Sequence, residues 1–332
     1  MGRGFDEGVT TPEIKEPETW TAERQSRQSG SPKGTMHDAW CNRTSVLFRN
    51  VVLHAPRAWS LFKKTTQASL SRLYMKHKMN AHTLNPLSFY KSLHDARGRK
   101  EAGAFLVEGV RAVAQIAQAR PDSILEIVVA ENCDSPPFPG YPARRITASQ
   151  FRGASASTTP SGLLAVVKIP DDSYSPLLPP NADGRILALE DVQDPGNVGA
   201  LVRSAAAFDF SGVLLSEKCA DPFGPKAVAA SAGAVLSVWV RKTPEFLARL
   251  RSLADGGHYC VAADIRGTEV LCRVNSARLV LIVGNEGGGI SPEVLACARS
   301  VVKIPINSDK VESLNVAASG AVCMYALAGG RA

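Results

Sequence analysis

The chain has 332 residues, 45% of them hydrophobic, and a formal net charge of +7. That length holds two domains plus an extension, and the apolar share excludes a wholly disordered chain. No apolar run approaches the roughly 20 residues that cross a bilayer, so no membrane-spanning helix is expected. Aromatic residues are only 6% of the chain, so a nucleic-acid contact would lean on charge and glycine loops more than on ring stacking.

The charge is unevenly placed. Residues 1–34 carry five basic and six acidic side chains, residues 35–100 carry 12 and two, and residues 101–332 carry 21 and 23. A basic excess confined to one segment suits a polyanionic partner, RNA or DNA, and equally a solvated basic tail. Residues 1–34, rich in Glu, Thr, Ser, Arg and Gly, are expected to be disordered. Residues 35–80 are nearly free of acid, and Ala58-Trp-Ser-Leu-Phe-Lys-Lys64 has the composition of an organelle transit peptide, although an acidic stretch precedes it. The alternative is a true start at Met75 or Met79. Residues 1–85 are therefore read as a basic extension.

From Leu87 the pattern changes. Ser88 to Lys100 reads as one basic amphipathic helix, Ala104 to Val107 as a strand, and Glu108 to Ala117 as a helix with apolar residues at helical spacing. Ile124 to Ala130 is a β-branched strand, Arg144-Arg145 lead into a short helix, and Gly162 to Lys168 is a last strand. This makes a small α/β domain over 86–168. A Pro-rich break over 169–184 is the linker. Over 185–332, apolar runs at 186–190, 212–215, 237–240, 259–263, 279–283 and 301–304 alternate with helical segments. That alternation predicts a mostly parallel sheet covered on both faces, with ligands beyond the carboxyl ends of its strands.

Seven cysteines, Cys41, Cys133, Cys219, Cys260, Cys272, Cys297 and Cys323, are scattered without a C-x-x-C pair. A disulfide framework or zinc knuckle is not expected, nor any other metal. A reducing compartment fits, so cytoplasmic localisation is expected, with organelle import as the alternative.

Three stretches carry chemistry. Asp191-Val-Gln-Asp-Pro-Gly-Asn-Val-Gly-Ala-Leu-Val-Arg203 opens with a turn, offers Asn197 as a helix N-cap, and puts Gly199 and Arg203 on one helical face. A bare glycine there lets another backbone approach. Gly284-Asn-Glu-Gly-Gly-Gly-Ile-Ser291 follows an apolar strand with free backbone N–H groups and one acid, Glu286. It is not the G-x-G-x-x-G of a dinucleotide fold, which argues against a nicotinamide dehydrogenase. Val302 to Ala332 runs from a strand stopped at Pro305, through a polar loop, to Ser313-Leu314-Asn315, which opens a long helix of small and apolar residues. Taken singly, these read equally as a capped helix, a tight turn and a capped C-terminal helix.

Their order and spacing together resemble the SpoU/TrmH class of SPOUT methyltransferases: D-x-x-D-P-G-N-V-G-A-x-x-R, then G-N-E-G-x-G-I-S, then I-P-I followed by E-S-L-N-V-A-A-S. The resemblance covers about 185–330, and Phe105-Leu-Val-Glu-Gly109 and Gly162-Leu-Leu-Ala-Val166 look like the substrate-binding domain that precedes it in many members. It implies an α/β fold, a mostly parallel sheet with a C-terminal trefoil knot, preceded by a small α/β RNA-substrate-binding domain. It also implies S-adenosyl-L-methionine as cofactor, a homodimer, and methyl transfer to a ribose 2′-hydroxyl of RNA, ribosomal RNA being favoured. Cofactor contacts are implied at Val283, Gly284, Gly289, Ile290, Ile304 and Leu314. Asn197, Arg203, Glu286, Ser313 and Asn315 match the catalytic positions. Two departures stand out: Asp209 where the family often has glycine, and a slightly long loop over 307–312.

A sulfonium methyl needs an oxygen nucleophile in line, with its proton removed. An arginine is a poor base, so Arg203 is expected to bind the adjacent RNA phosphate and to accept or relay the proton only when substrate and cofactor enclose it. Ser313 and Asn315 would orient it and the ribose. The alternatives are a transfer-RNA ribose methylase and a catalytically silent knotted RNA-binding protein.

Overall fold

In a computed structural model, the described residues are 85–328 apart from 134–137, 181, 271–273 and 275. The expected basic extension, but for Asn85, lies outside them.

The first layer is a four-stranded sheet in the order β1-β4-β2-β3, with β1 Ala104–Glu108, β2 Ile124–Ala130, β3 Ala143–Ile146 and β4 Leu163–Lys168. β4 pairs antiparallel with β1 and β2, and β3 runs parallel to β2. One face, with Leu106, Val128 and Val166, is covered by α1 Leu87–Ser92 and by Phe151 of α4 Ala148–Ala154; α2 Ala96–Ala102 lies between α1 and β1 in sequence. The other face, with Phe105, Val107 and Ile127, meets Val113 and Ile116 of α3 Val110–Ala119 and joins the main core.

One expectation fails here and one is extended. The helix expected over 88–100 is broken into α1 and α2, because the chain folds back on itself. A Cβ on Gly98 would lie 2.0 Å from the Ser92 carbonyl oxygen, so only glycine permits the reversal. Arg144-Arg145 precede the short helix as expected and also belong to β3, a short strand at the sheet edge with Arg145 exposed and Arg144 half-buried.

The second layer is a seven-stranded, wholly parallel sheet in the order β7-β6-β5-β10-β8-β11-β9. Its strands are β5 Arg185–Leu189, β6 Gly212–Ser216, β7 Trp239–Thr243, β8 Tyr259–Ala263, β9 Glu269–Val270, β10 Leu279–Val283 and β11 Ser300–Lys303. Leu187 and Leu189 face one core, with α5 Pro195–Ala207, Val228 of α6 Pro225–Ser231, and α9 Val316–Ala328; Ile186 and Ala188 face the other, with α7 Phe246–Asp255 and α8 Pro292–Leu295. Burial on both faces is why these strands read as unbroken apolar runs. The run expected at 237–240 starts two residues late, since a 3-10 turn occupies Ala234–Leu236.

Glycines set the helix packing. A Cβ on Gly199 would stand 2.1 Å from the Ala227 carbonyl oxygen, so α5 and α6 touch backbone to backbone as the sequence predicts. Asp209 adopts φ 63°. Aspartate tolerates that left-handed conformation better than most residues, so the turn into β6 survives its departure from glycine.

From β5 the chain steps outward through β6 and β7, then β8 takes the opposite side with β10 between them. Such a reversal opens a crevice beyond the carboxyl ends of the flanking strands.

Candidate active site

Four loops leave the carboxyl ends at that crevice, after β5, β8, β10 and β11. The first leads into α5 through Asp194, whose Oδ1 accepts the Asn197 backbone N–H at 3.0 Å. Asp194, not Asn197, is therefore the N-cap, with Pro195 beginning the helix. This corrects the sequence expectation and releases the Asn197 side chain. Lys226 pairs with Asp194 at 2.7 Å and, with the Asn197 N–H, holds that carboxyl below its ordinary range.

Asn197 joins the three motifs. Its Nδ2 donates to Glu286 Oε1 at 3.0 Å, and its Oδ1 accepts from Asn315 Nδ2 at 3.1 Å. Asn315 is itself the cap of α9, its Oδ1 accepting the N–H groups of Ala317 and Ala318. Glu286 also accepts the N–H groups of Gln193 and Asp194, each at 3.4 Å. Burial pushes the Glu286 carboxyl up, but the Asn197 amide and the backbone donors together outweigh it, and the group titrates below its usual range. It is an ionised acceptor at neutral pH, suited to orienting Asn197 and unsuited to protonating anything.

Arg203 lies six residues further along α5, about 9 Å along the axis from Asn197. It is exposed, and it makes no hydrogen bond or ion pair among the described residues. The structure thus brings Asn197, Glu286 and Asn315 together and leaves the Arg203 guanidinium available to an incoming group.

Beside this network, the ends of β8 and β11 and the loop after β11 enclose a cleft of about 480 Å³. Ile304, Ser313 and Leu314 line it. Val283, Gly284, Gly289 and Ile290 do not: Val283 and Ile290 are buried in the two cores, and Gly284 packs so tightly on the Gly289 carbonyl that a Cβ would lie 2.3 Å from it. Asp264, Ile265 and Glu312 line the cleft without having been anticipated. The signal for Asp264 was its place immediately after the apolar run 259–263. Arg266 hydrogen-bonds both oxygens of Asp264, holds that carboxyl low, and reaches the Ile290 carbonyl at 3.0 Å, tying the loop after β8 to the glycine loop. The long loop over 307–312 is organised by Asn307, whose Oδ1 accepts the Asp309 N–H and whose carbonyl accepts from Lys310 and Val311.

Comparison with known proteins adds to this geometry. Residues 184–325 match the model of the SpoU rRNA Methylase family. An uncharacterised tRNA/rRNA methyltransferase of Synechocystis is 31% identical over 258 residues, covering 73% of this chain and 90% of the relative. The 23S rRNA guanosine 2′-O-methyltransferase RlmP of Bacillus subtilis is 28% identical, covering 72% of this chain and 94% of RlmP. Among solved structures, a TrmH-family protein from Porphyromonas gingivalis superposes with a TM-score of 0.62 at 31% identity, over 73% of this chain and 97% of that one.

Proposed function

The chain belongs to the SpoU rRNA methylase family, and from that premise we propose that it transfers the methyl group of S-adenosyl-L-methionine to a ribose 2′-hydroxyl of RNA. Ribosomal RNA is the preferred substrate, on the likeness to RlmP. The observation that carries the reading is the hydrogen-bonded line Glu286–Asn197–Asn315 beside the cleft, with Arg203 on the same helix and without a partner among the described residues.

The cleft fits the cofactor. Its volume lies within the range of about 300–1,000 Å³ typical of small-molecule sites. Ile265, Ile304, Pro305 and Leu314 offer apolar walls for a purine, and Glu312, Ser308, Ser313 and Ser319 offer polar groups for ribose hydroxyls and a cationic sulfur. When bound, S-adenosylmethionine supplies an electrophilic methyl group. The chain's own residues do the rest. Arg203 holds the RNA phosphate next to the reacting ribose, and its guanidinium relays the 2′-hydroxyl proton outward, releasing one of its own N–H protons to water as it takes that one. Asn197 and Asn315, locked by ionised Glu286, fix the angle at which the ribose enters, and Ser313 orients the hydroxyl.

In the same reading, residues 86–168 hold the RNA, 169–184 link, and 185–332 catalyse, the segment beyond β11 completing a trefoil knot. Ala318, Val322 and Tyr325 form an exposed apolar strip along α9, with Val322 43% and Tyr325 58% exposed. A second copy of the chain covers it. Among the described residues no helix is long and apolar enough to cross a membrane; the scattered cysteines suit a reducing compartment, and on that ground the cytoplasm is the proposed location.

The test is radiolabelled methyl transfer to ribosomal RNA from a strain lacking this gene, followed by mapping of 2′-O-methyl sites. Incorporation at one ribose is expected. No incorporation into any RNA would leave a silent RNA-binding protein. Arg203→Ala should abolish transfer while cofactor binding remains measurable, and near-normal turnover would remove Arg203 from the mechanism.

A further inference from the structure

Two residues assigned no role above, Asp191 of the first motif and Asn285 of the glycine loop, join those two stretches. Asp191, two residues beyond the end of β5, adopts φ 55°, an uncommon backbone for a residue with a side chain. Ser216, buried at the end of β6, holds it there twice. The Ser216 hydroxyl donates to Asp191 Oδ1 at 2.6 Å and accepts the Asp191 N–H at 2.8 Å. So held, the Asp191 carbonyl accepts Asn285 Nδ2 at 2.8 Å.

Asn285 spends the rest of its amide on the glycine loop. Its Oδ1 accepts Gly287 N–H at 2.9 Å and Gly288 N–H at 2.8 Å, while its backbone exchanges both hydrogen bonds with Gly289. Three consecutive glycines would otherwise leave Glu286 on the most pliable stretch near the site. The one residue inside that clamp whose side chain reaches across to α5 is Glu286.

We infer that Asp191 and Asn285 are positioning residues: the left-handed turn at Asp191 aims its carbonyl at Asn285, and Asn285 sets the glycine loop so that Glu286 meets Asn197. This rests on the methyltransferase reading, and it deepens it. Neither residue lines the cleft. Their loss should therefore appear in turnover and leave cofactor affinity alone.

The experiment compares Asn285→Ala, Asp191→Val and Asp191→Asn with the full-length wild type, for kcat on ribosomal RNA, for S-adenosylmethionine Kd by calorimetry, and for amide hydrogen exchange over 284–290. Valine resists φ near +55°, whereas asparagine tolerates it and keeps an oxygen for Ser216. Misplacing a catalytic contact by about 1 Å costs up to roughly a hundredfold. Asn285→Ala and Asp191→Val should lose ten- to a hundredfold in kcat with Kd within about threefold, and exchange over 284–290 should quicken. Asp191→Asn should retain both. If Asp191→Val does not fold, Asn285→Ala, in an exposed loop, decides alone. Unchanged kcat and exchange in Asn285→Ala overturn the inference. So does a parallel loss of kcat and cofactor affinity, which would mean a merely structural role. If the wild type methylates no RNA, the reading beneath the inference has failed; if only the variants behave as wild type, the inference alone has failed.

Discussion

At the scale of single residues, the site depends on who caps and who is left free. Asp194 takes the helix cap, so Asn197 can face Glu286 and Asn315. This much was available in the sequence: proline favours the first position of a helix, and Pro195 marks Asp194 as the cap. Glu286 titrates below its usual range because its donors outweigh its burial. Its contribution to stability is therefore fully present above the unfolded value of about 4.3 and is lost as pH falls through the lower folded value. Thermal melts should show wild type above Glu286→Gln at neutral pH, with the gap closing below about pH 4. A gap constant across that range would mean that the charge of Glu286 is not engaged.

At the scale of elements, close approach of helices decides which glycines tolerate change. At Gly199 the obstruction is the Ala227 backbone carbonyl, which cannot move aside; at Gly320 it is the tip of Leu201, with 2.3 Å to Cδ2, which can rotate. Overpacking costs about 1–3 kcal/mol, and alanine in a helix regains roughly 1 kcal/mol over glycine. Gly199→Ala should thus lower Tm by several degrees and Gly320→Ala should be close to neutral. Equal Tm values for the two would contradict the packing of α5 on α6. The strands were legible because both faces are buried and their apolar runs are short and punctuated. The break between α1 and α2 was not, because it arises from Gly98 meeting Ser92, a contact that local periodicity does not report.

At the scale of the molecule, the two sheets are joined by a buried ion pair. Arg99 from α2 contacts Asp221, which precedes α6, at 2.5 Å; its side chain is 5% exposed, and it also donates to the carbonyls of Leu93 and His94. Asp221 in turn accepts from Tyr174 in the linker and from the Phe223 N–H, and the Phe223 ring packs tilted against Phe105 of β1, 5.2 Å between centroids. Removing one partner of a buried pair costs about 3–5 kcal/mol. Arg99→Ala should lose about 3 kcal/mol in denaturant titration, and a loss under about 1 kcal/mol would show the pair to be solvated. The other end of the chain has a double duty. Loop 304–314 walls the cleft, and α9 supplies Cys323, Met324 and Leu327 to the core and an apolar strip to the surface. Ending the chain after Pro305 should abolish cofactor binding and dimerisation together. A truncated chain that still did both would refute that division of labour.

The sequence by itself determined the strand and helix alternation, the parallel sheet covered on both faces, and the three polar motifs, because periodicity and caps are set within a few residues. Tertiary structure decided which motif residues meet. Asn197 reaches Glu286 across 89 residues and Asn315 across 118, and those encounters exist only because β10 inserts between β5 and β8. The same strand order set Ile304 and Leu314 around a cleft between β8 and β11, put Asp264 in its wall, and turned Val283 and Ile290 into the cores. Alternation along a strand fixes its two faces, but which loops become neighbours follows from the order in which strands pair, and that order is a property of the whole fold.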